Sequence, residues 1–412
     1  MQRRSSRSVI AILAVLFATL SFAAHAQTHE KVLYSFTGTP DGENPNAGVI
    51  SDTAGNLYGT TSGGGAAGFG SVFELIRGSG GTWSEKVIYS FQGTPDGATP
   101  MDSLVFDHAG NLYGTTAFGG DYNGGIVFEL TPHVDGTWTE AILFNSPGST
   151  PADHMVANLI FDASGNLYGT SLQGGYGTGD VFKMTPNTDG SWTTTEIYLF
   201  PYERFNNPNS GLLIDSAGNL YGTTSSGGNN GAGNAFEISL SGGVWYADYL
   251  HSFKGYPDGQ NPNAALIFDA AGNLYGTTAG GGASSSCSCG TVFRLKPPAS
   301  GRQWTEEVLH SFTDMPGYSP NAGLVLDSAN NLYGVTYYTF GSNNFQDIGG
   351  SAFRINLTTG AYSVLHQFGN AGDGAGPLGT LILGPSGYLY GTTYVGGSSP
   401  VYGYGTVFEL QP

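Results

Sequence analysis

Three stretches of the 412-residue chain hold side chains that could do chemistry. Asp153 and His154 form the first, and Tyr202, Glu203 and Arg204 the second. Brought together, two acids, an imidazole, a guanidinium and a phenol would line a polar binding pocket, and the acid–imidazole pair would allow proton transfer. The competing reading is two drifted loops with solvated charges. The third stretch, Thr336 to Gly349, carries Tyr337, Tyr338, Phe340, Phe345 and Asp347. Rings beside amides suit a saccharide, because rings stack on sugar faces while amides bond hydroxyls; packing on a neighbouring element is the alternative.

The usual catalytic signatures are missing. There is no nucleophile elbow, no His-Glu-x-x-His and no Asp-rich calcium loop, and Gly63-Gly64-Gly65 lacks the Gly-Lys-Ser/Thr ending of a phosphate loop. No catalytic residue, metal or cofactor is therefore assigned. Cys287 and Cys289, the two cysteines, are expected to form a tight local disulfide after export, since two ligands are too few for zinc.

What must position these loops is a repeat. Asn56-Leu57-Tyr58-Gly59-Thr60-Thr61 returns at Asn111, Asn166, Asn219, Asn273 and Asn331, and in altered form at Tyr388. Its seven tyrosines, Tyr58 to Tyr390, lie 53 to 58 residues apart, a blade-sized period. Each copy holds four strand-like runs, in the first copy Ala47 to Ser51, Asn56 to Thr61, Ser71 to Leu75 and Ser84 to Phe91. The expected fold is an all-β, seven-bladed β-propeller with four-stranded antiparallel blades. The chain opens with a lone fourth strand, Lys31 to Phe36, and closes at Gly405 to Leu410 without one. Pairing Val32 to Phe36 with Thr406 to Leu410 would close the ring and leave no open edge.

A residue present in nearly every blade is best explained by what every blade needs. Asp52, Asp107, Asp162, Asp215, Asp269 and Asp327 each precede a Gly-Asn or Asn-Asn turn, where the carboxylate can satisfy backbone amides. Trp83, Trp138, Trp192, Trp245 and Trp304 begin fourth strands, with Tyr362 expected in their place in the sixth copy, and read as a hydrophobic cover. His251, His310 and His366 fill the slot of Tyr34 and Tyr89 in three separate blades, so they are not expected to bind metal. The two long, variable loops of each copy fall on one face, where a ligand site is expected.

The units, such as Leu266-Ile267-Phe268-Asp269-Ala270-Ala271-Gly272-Asn273-Leu274-Tyr275-Gly276-Thr277-Thr278 followed by Gly290-Thr291-Val292-Phe293, resemble those of the GloVer tandem-repeat proteins of bacterial exteriors. More loosely, they resemble NHL-type blades. The resemblance covers residues 31–412 and implies an extracellular bacterial protein; it brings no catalytic residues. Relatives that carry a C-terminal sorting anchor differ from this chain, which ends Glu409-Leu410-Gln411-Pro412 and is expected to be secreted or periplasmic.

Residues 1–26 read as a secretory signal peptide: Arg3, Arg4 and Arg7, an apolar run to Phe22, then Ala24-His25-Ala26. Residues 27–412 are assigned to the propeller. The formal charge of −18 becomes −21 without the three arginines, which argues against nucleic acid or an anionic membrane as partner. Charged residues make up 11% against a usual value of about 25%, in keeping with many short strands joined by glycine turns. The sequence thus points to an exported, monomeric binding or scaffold module for an extracellular polymer, carbohydrate included, a protein or a small ligand. Its alternative is a propeller lyase or hydrolase acting on polysaccharide or a small ester at the long-loop face.

Overall fold

The computed structural model describes residues 30–147, 158–172, 177–201, 206–284, 287–300, 303–313, 316–339, 348–370, 372–397 and 403–412. Its regular structure is β, with one 3-10 turn at Ser79–Gly81 among the described residues. Seven four-stranded antiparallel sheets form the blades of a propeller. Blade 1 contains Ile50–Ser51, Leu57–Thr61, Ser71–Arg77 and Trp83–Ser90, from axis to rim. Blades 2 to 6 repeat this order. Blade 7 joins Ile382–Leu383, Leu389–Thr393 and Thr406–Leu410 to the N-terminal strand Glu30–Ser35. The closing register is Val32 opposite Phe408 and Tyr34 opposite Val407, so the two chain ends meet as their complementary strand counts require.

The Leu-Tyr-Gly-Thr motif is explained by packing. In blade 1 the second-strand Gly59 lies beneath the third-strand Phe73, and a Cβ there would come within 2.6 Å of the ring. The same glycine–phenylalanine contact recurs in all seven blades, for example Gly276 under Phe293. Each of these rings is buried, and most meet a second phenylalanine edge-on, as Phe36 meets Phe73 at 5.1 Å. Tyr58 instead faces blade 2, edge-on to Phe106 at 5.2 Å and to Trp138 at 6.3 Å. The tryptophans thus cover the tyrosine of the preceding blade and weld neighbouring sheets.

The repeated aspartates serve the turns. Asp52 Oδ1 accepts from the amides of Ala54 and Asn56, while Oδ2 accepts from the Asn56 side chain. Gly55 in this turn has φ 86°, and where blade 6 lacks the glycine, Asn330 takes φ 61°.

Two expectations need correction. Tyr362 does not stand in a tryptophan's place. It lies opposite Ile355, as Glu306 lies opposite Leu295 and Glu85 opposite Leu75, whereas Trp83 lies two residues further out opposite Arg77. The register therefore makes Tyr362 the substitute for a glutamate. The innermost strands are also shorter than Ala47 to Ser51, with only Ile50–Ser51 in the ladder. Residues before them bond sideways to neighbouring blades: Ser103 N donates to Asn158 Oδ1 at 2.7 Å, and Gly323 N to Thr380 Oγ1 at 2.9 Å.

Candidate functional site: the axial cavity

Antiparallel alternation sends each blade-to-blade connection and each loop between second and third strands to one face. There they pair in short ribbons, Gly42–Glu43 with Gly63–Gly64 and Gly259–Gln260 with Gly280–Gly281. The same face opens into a cavity of about 470 Å³ on the propeller axis, lined from all seven blades.

The segment entering each innermost strand reads Pro-Asn-Ala-Gly in its fullest form, Pro45 to Gly48. Its asparagine contributes Asn46, Asn209, Asn263 and Asn321 to the cavity wall, with Met101 and Leu378 at the same place in blades 2 and 7. Two residues further on, Ser103, Asn158 and Thr380 add polar groups where Gly48, Gly211 and Gly323 leave space. These side chains are half-buried. Asn263 Nδ2 donates to Asn321 Oδ1 at 3.0 Å, and Asn321 Nδ2 reaches Ser319, so part of the amide belt is already oriented. Phe118 and Leu172, from loops after the second strands of blades 2 and 3, give the rim an apolar side.

Asp102 is the one ionisable group among the described residues lining the cavity. It stands where the other blades have Ala47, Ser210, Ala264, Ala322 or Gly379. Burial pushes its carboxyl up to about 7, opposed by the hydroxyl of Thr115, which donates to Oδ2 at 3.3 Å. An acid that exchanges its proton near neutrality can donate or accept toward a ligand hydroxyl. Sequence reading passed over it, although an acid in a small-residue slot of the repeat was the available signal.

Of the residues singled out from sequence, Asp153, His154, Tyr202, Glu203, Arg204 and Phe345 lie outside the described residues. Tyr337 and Tyr338 are on the long-loop face of blade 6. Tyr338 is exposed and bridges the connection strand at Tyr318, its ring stacked at 5.2 Å, with Tyr337 edge-on at 4.5 Å. They do not line the axial cavity. Cys287 and Cys289 are joined in a disulfide with Cα atoms 5.1 Å apart, in the corresponding loop of blade 5.

The repeat architecture decides the relationship, because the family model for the Gloeobacter/Verrucomicrobia repeat matches residues 19–195 and 156–408. The chain belongs to the Gloeobacter/Verrucomicrobia repeat family. No curated protein sequence matches it. Among solved structures, this repeat protein is similar to a candidate 6-phosphogluconolactonase from Bacteroides uniformis, at TM-score 0.51 and 12% identity over 80% of this chain and 86% of that one. It is also similar to a protein of unknown function from Dyadobacter fermentans, at TM-score 0.46 and 11% identity over 93% and 100%. A gluconolactonase from Xanthomonas campestris matches at TM-score 0.43 and 14% identity over 75% and 86%. At such identities the likeness is one of fold.

Proposed function

We propose that this repeat-family propeller is an exported binding module, directed outward by residues 1–26, whose axial cavity takes a neutral, hydroxyl-rich ligand such as a saccharide unit of an extracellular polymer. The observation that carries the reading is the cavity wall. In a chain of formal charge −18 it presents five asparagines, a serine, a threonine and a single acid. Amides and hydroxyls both donate and accept, as a polyol requires, and the rim ring of Phe118 offers an apolar contact. A polyanion would meet no cation there, and a strongly basic ligand would meet only Asp102. Asp153, His154, Tyr202, Glu203 and Arg204 belong to connections that lead in sequence toward Asn158 and Asn209. The proposal includes them, with Tyr337, Tyr338 and Phe345, as outer contacts for a longer polymer.

The test is calorimetric binding of neutral and acidic oligosaccharides to the chain from residue 27 onward. Neutral sugars should bind more tightly, and Asn209→Ala with Asn263→Ala should weaken binding about tenfold or more, the loss expected from about 1.4 kcal/mol. Equal binding of neutral and acidic sugars, or unchanged affinity in that double variant, would reject the reading.

A lyase or hydrolase reading rests on Asp102 alone, as a half-buried acid able to transfer a proton near neutrality. Asp102→Asn separates the two: loss of turnover with binding retained would establish catalysis, whereas a binder loses only affinity.

A further inference from the structure

The outer strands and the blade-to-blade connections create one arrangement at four blade junctions. A phenol or imidazole on one outer strand meets an aspartate of the following connection and a glutamate on the next outer strand. Two junctions have phenols: Tyr34 donates to Asp41 Oδ2 at 3.0 Å near Glu85, and Tyr89 to Asp96 Oδ2 at 3.1 Å near Glu140. The other two have imidazoles, namely His251 with Asp258 and Glu306, and His366 with Asp373 and Glu30.

In each imidazole junction one ligand-type atom from each of the three residues lies within 4.8 Å of the other two. His251 Nε2 is 3.1 Å from Asp258 Oδ2, and His366 Nε2 is 2.9 Å from Asp373 Oδ2. The aspartates are held firmly: Asp258 Oδ1 accepts from Gly259 N and Asp373 Oδ1 from Gly374 N. The Asp373 side chain is only 7% exposed. Glu306 Oε1 and Glu30 Oε1 are shut off from solvent and have no hydrogen-bond partner. An orphaned carboxylate oxygen beside a second carboxylate is costly while charged, and either a proton or a metal cation would relieve it.

We propose that these two junctions are divalent transition-metal sites, each formed by one imidazole nitrogen and two carboxylates and completed by water. The donor set decides the class of ion. A nitrogen with two oxygens suits zinc and its transition-metal neighbours, whereas calcium and magnesium favour oxygen alone. Were both carboxylates of a junction ionised, their two negative charges would be balanced by one dication. Metal binding would release the imidazole nitrogen from Asp and give the orphaned glutamate oxygen a partner.

The phenol junctions have the same orphaned glutamate oxygen, on Glu85 and Glu140, and serve as internal controls because only the imidazole differs and a neutral phenol is not a ligand of this kind. His310 is a third control: Tyr362 takes the glutamate's place and stacks on its ring at 3.9 Å, while Pro316-Gly317 stands where Asp258-Gly259 does. The site at Glu30 also ties the closing strand of blade 7 to blade 6, so an ion there would secure the ring.

The experiment uses the mature chain without a polyhistidine tag, stripped with chelator and titrated with Zn2+ alone. Bound metal is counted by elemental analysis after dialysis. Two ions per chain are expected, one in His251→Phe, one in His366→Phe and none in the double variant; His310→Phe should keep two. Phenylalanine is chosen because Phe144 fills this slot in blade 2. Should a phenylalanine variant fail to fold, Glu306→Gln and Glu30→Gln serve as milder substitutions, each expected to weaken one site at least tenfold. Tyr34→His, placed beside Asp41 and Glu85, should add a third ion. Zn2+ should raise the melting temperature of the wild type more than that of His366→Phe. No retained zinc, or a count unchanged by the histidine substitutions, would overturn the proposal.

Discussion

Replacing Tyr113 tests whether the repeated tyrosine is a weld between blades. Its side chain is 4% exposed and meets two rings of blade 3 edge-on, Phe161 at 5.1 Å and Trp192 at 6.1 Å. The hydroxyl donates to Glu129 at 2.9 Å and lies 3.3 Å from Asp107. Tyr113→Ala removes the ring and leaves a cavity, a loss of about 3 to 5 kcal/mol for large aromatics in cores. Tyr113→Phe keeps both edge contacts and forfeits one hydrogen bond to an acid that water can partly reach, about 1 kcal/mol. The gap between the two variants should therefore be at least about 2 kcal/mol. Urea unfolding followed by tryptophan fluorescence and far-ultraviolet dichroism measures both, and coincident curves license the free-energy comparison. A loss below about 1 kcal/mol in the alanine variant, against the range for buried aromatics, would refute the weld. Equal losses in the two variants would show that the hydroxyl, not the ring, carries the junction.

Removing residues 30–36 should leave Thr406–Leu410 as an open edge, so the truncated chain is expected to associate or aggregate in light scattering while the intact chain stays monodisperse; equal behaviour would count against the closure as a stabilising device. Burial lowers the pKa of His310 to about 4, so below about pH 6.5 the unfolded chain binds a proton that the folded chain refuses, and stability falls as pH drops from about 6.5 to 4. The shift alone would amount to about 3 kcal/mol, which partial solvent access reduces to about 1 to 2 kcal/mol. His310→Phe should flatten the melting temperature against pH across this window, and an unchanged slope would exclude the imidazole as its source.

The blades were legible because each copy carries its own evidence. Leu57-Tyr58-Gly59-Thr60-Thr61 states a buried strand, and the unmatched strands at the ends state how the ring closes. Tyr362 misled because it begins a fourth strand as the tryptophans do, and only the register opposite Ile355 reveals the two-residue offset. The imidazole junctions escaped for another reason. Glu306 meets His251 from the next repeat, so no spacing within one copy brings them together. The recurring signs were a glutamate four residues before the Tyr/His slot and an aspartate seven after it. Asp102 could have been found by comparing the copies at a single position, where every other described blade has a small residue. The asparagine belt was visible as a repeated residue and was passed over on the rule that repeated residues are scaffold. That rule takes no account of the axis, where seven equivalent positions converge on one space.

The acidity of the chain has a structural origin that changes what it says about a ligand. Much of it is copied with the repeat: Asp52 and its equivalents close turns, Glu74, Glu129 and Glu409 accept from the tyrosine hydroxyls, and Asp41, Asp96, Asp258 and Asp373 brace the connections. These carboxylates lie in turns and between blades, away from the wall of the axial cavity. The outer field of the protein is therefore negative while the axial recess shared by the seven blades is lined largely by amides. Long-range charge would exclude polyanions from the neighbourhood, and local chemistry would select among the neutral ligands that arrive. Asp102 is the one acid among the described residues of that wall, and its counterparts in the other described blades are alanine, serine or glycine. An acid in a small-residue slot, placed where seven blades converge, joins the amide belt as a reason to look for the ligand there.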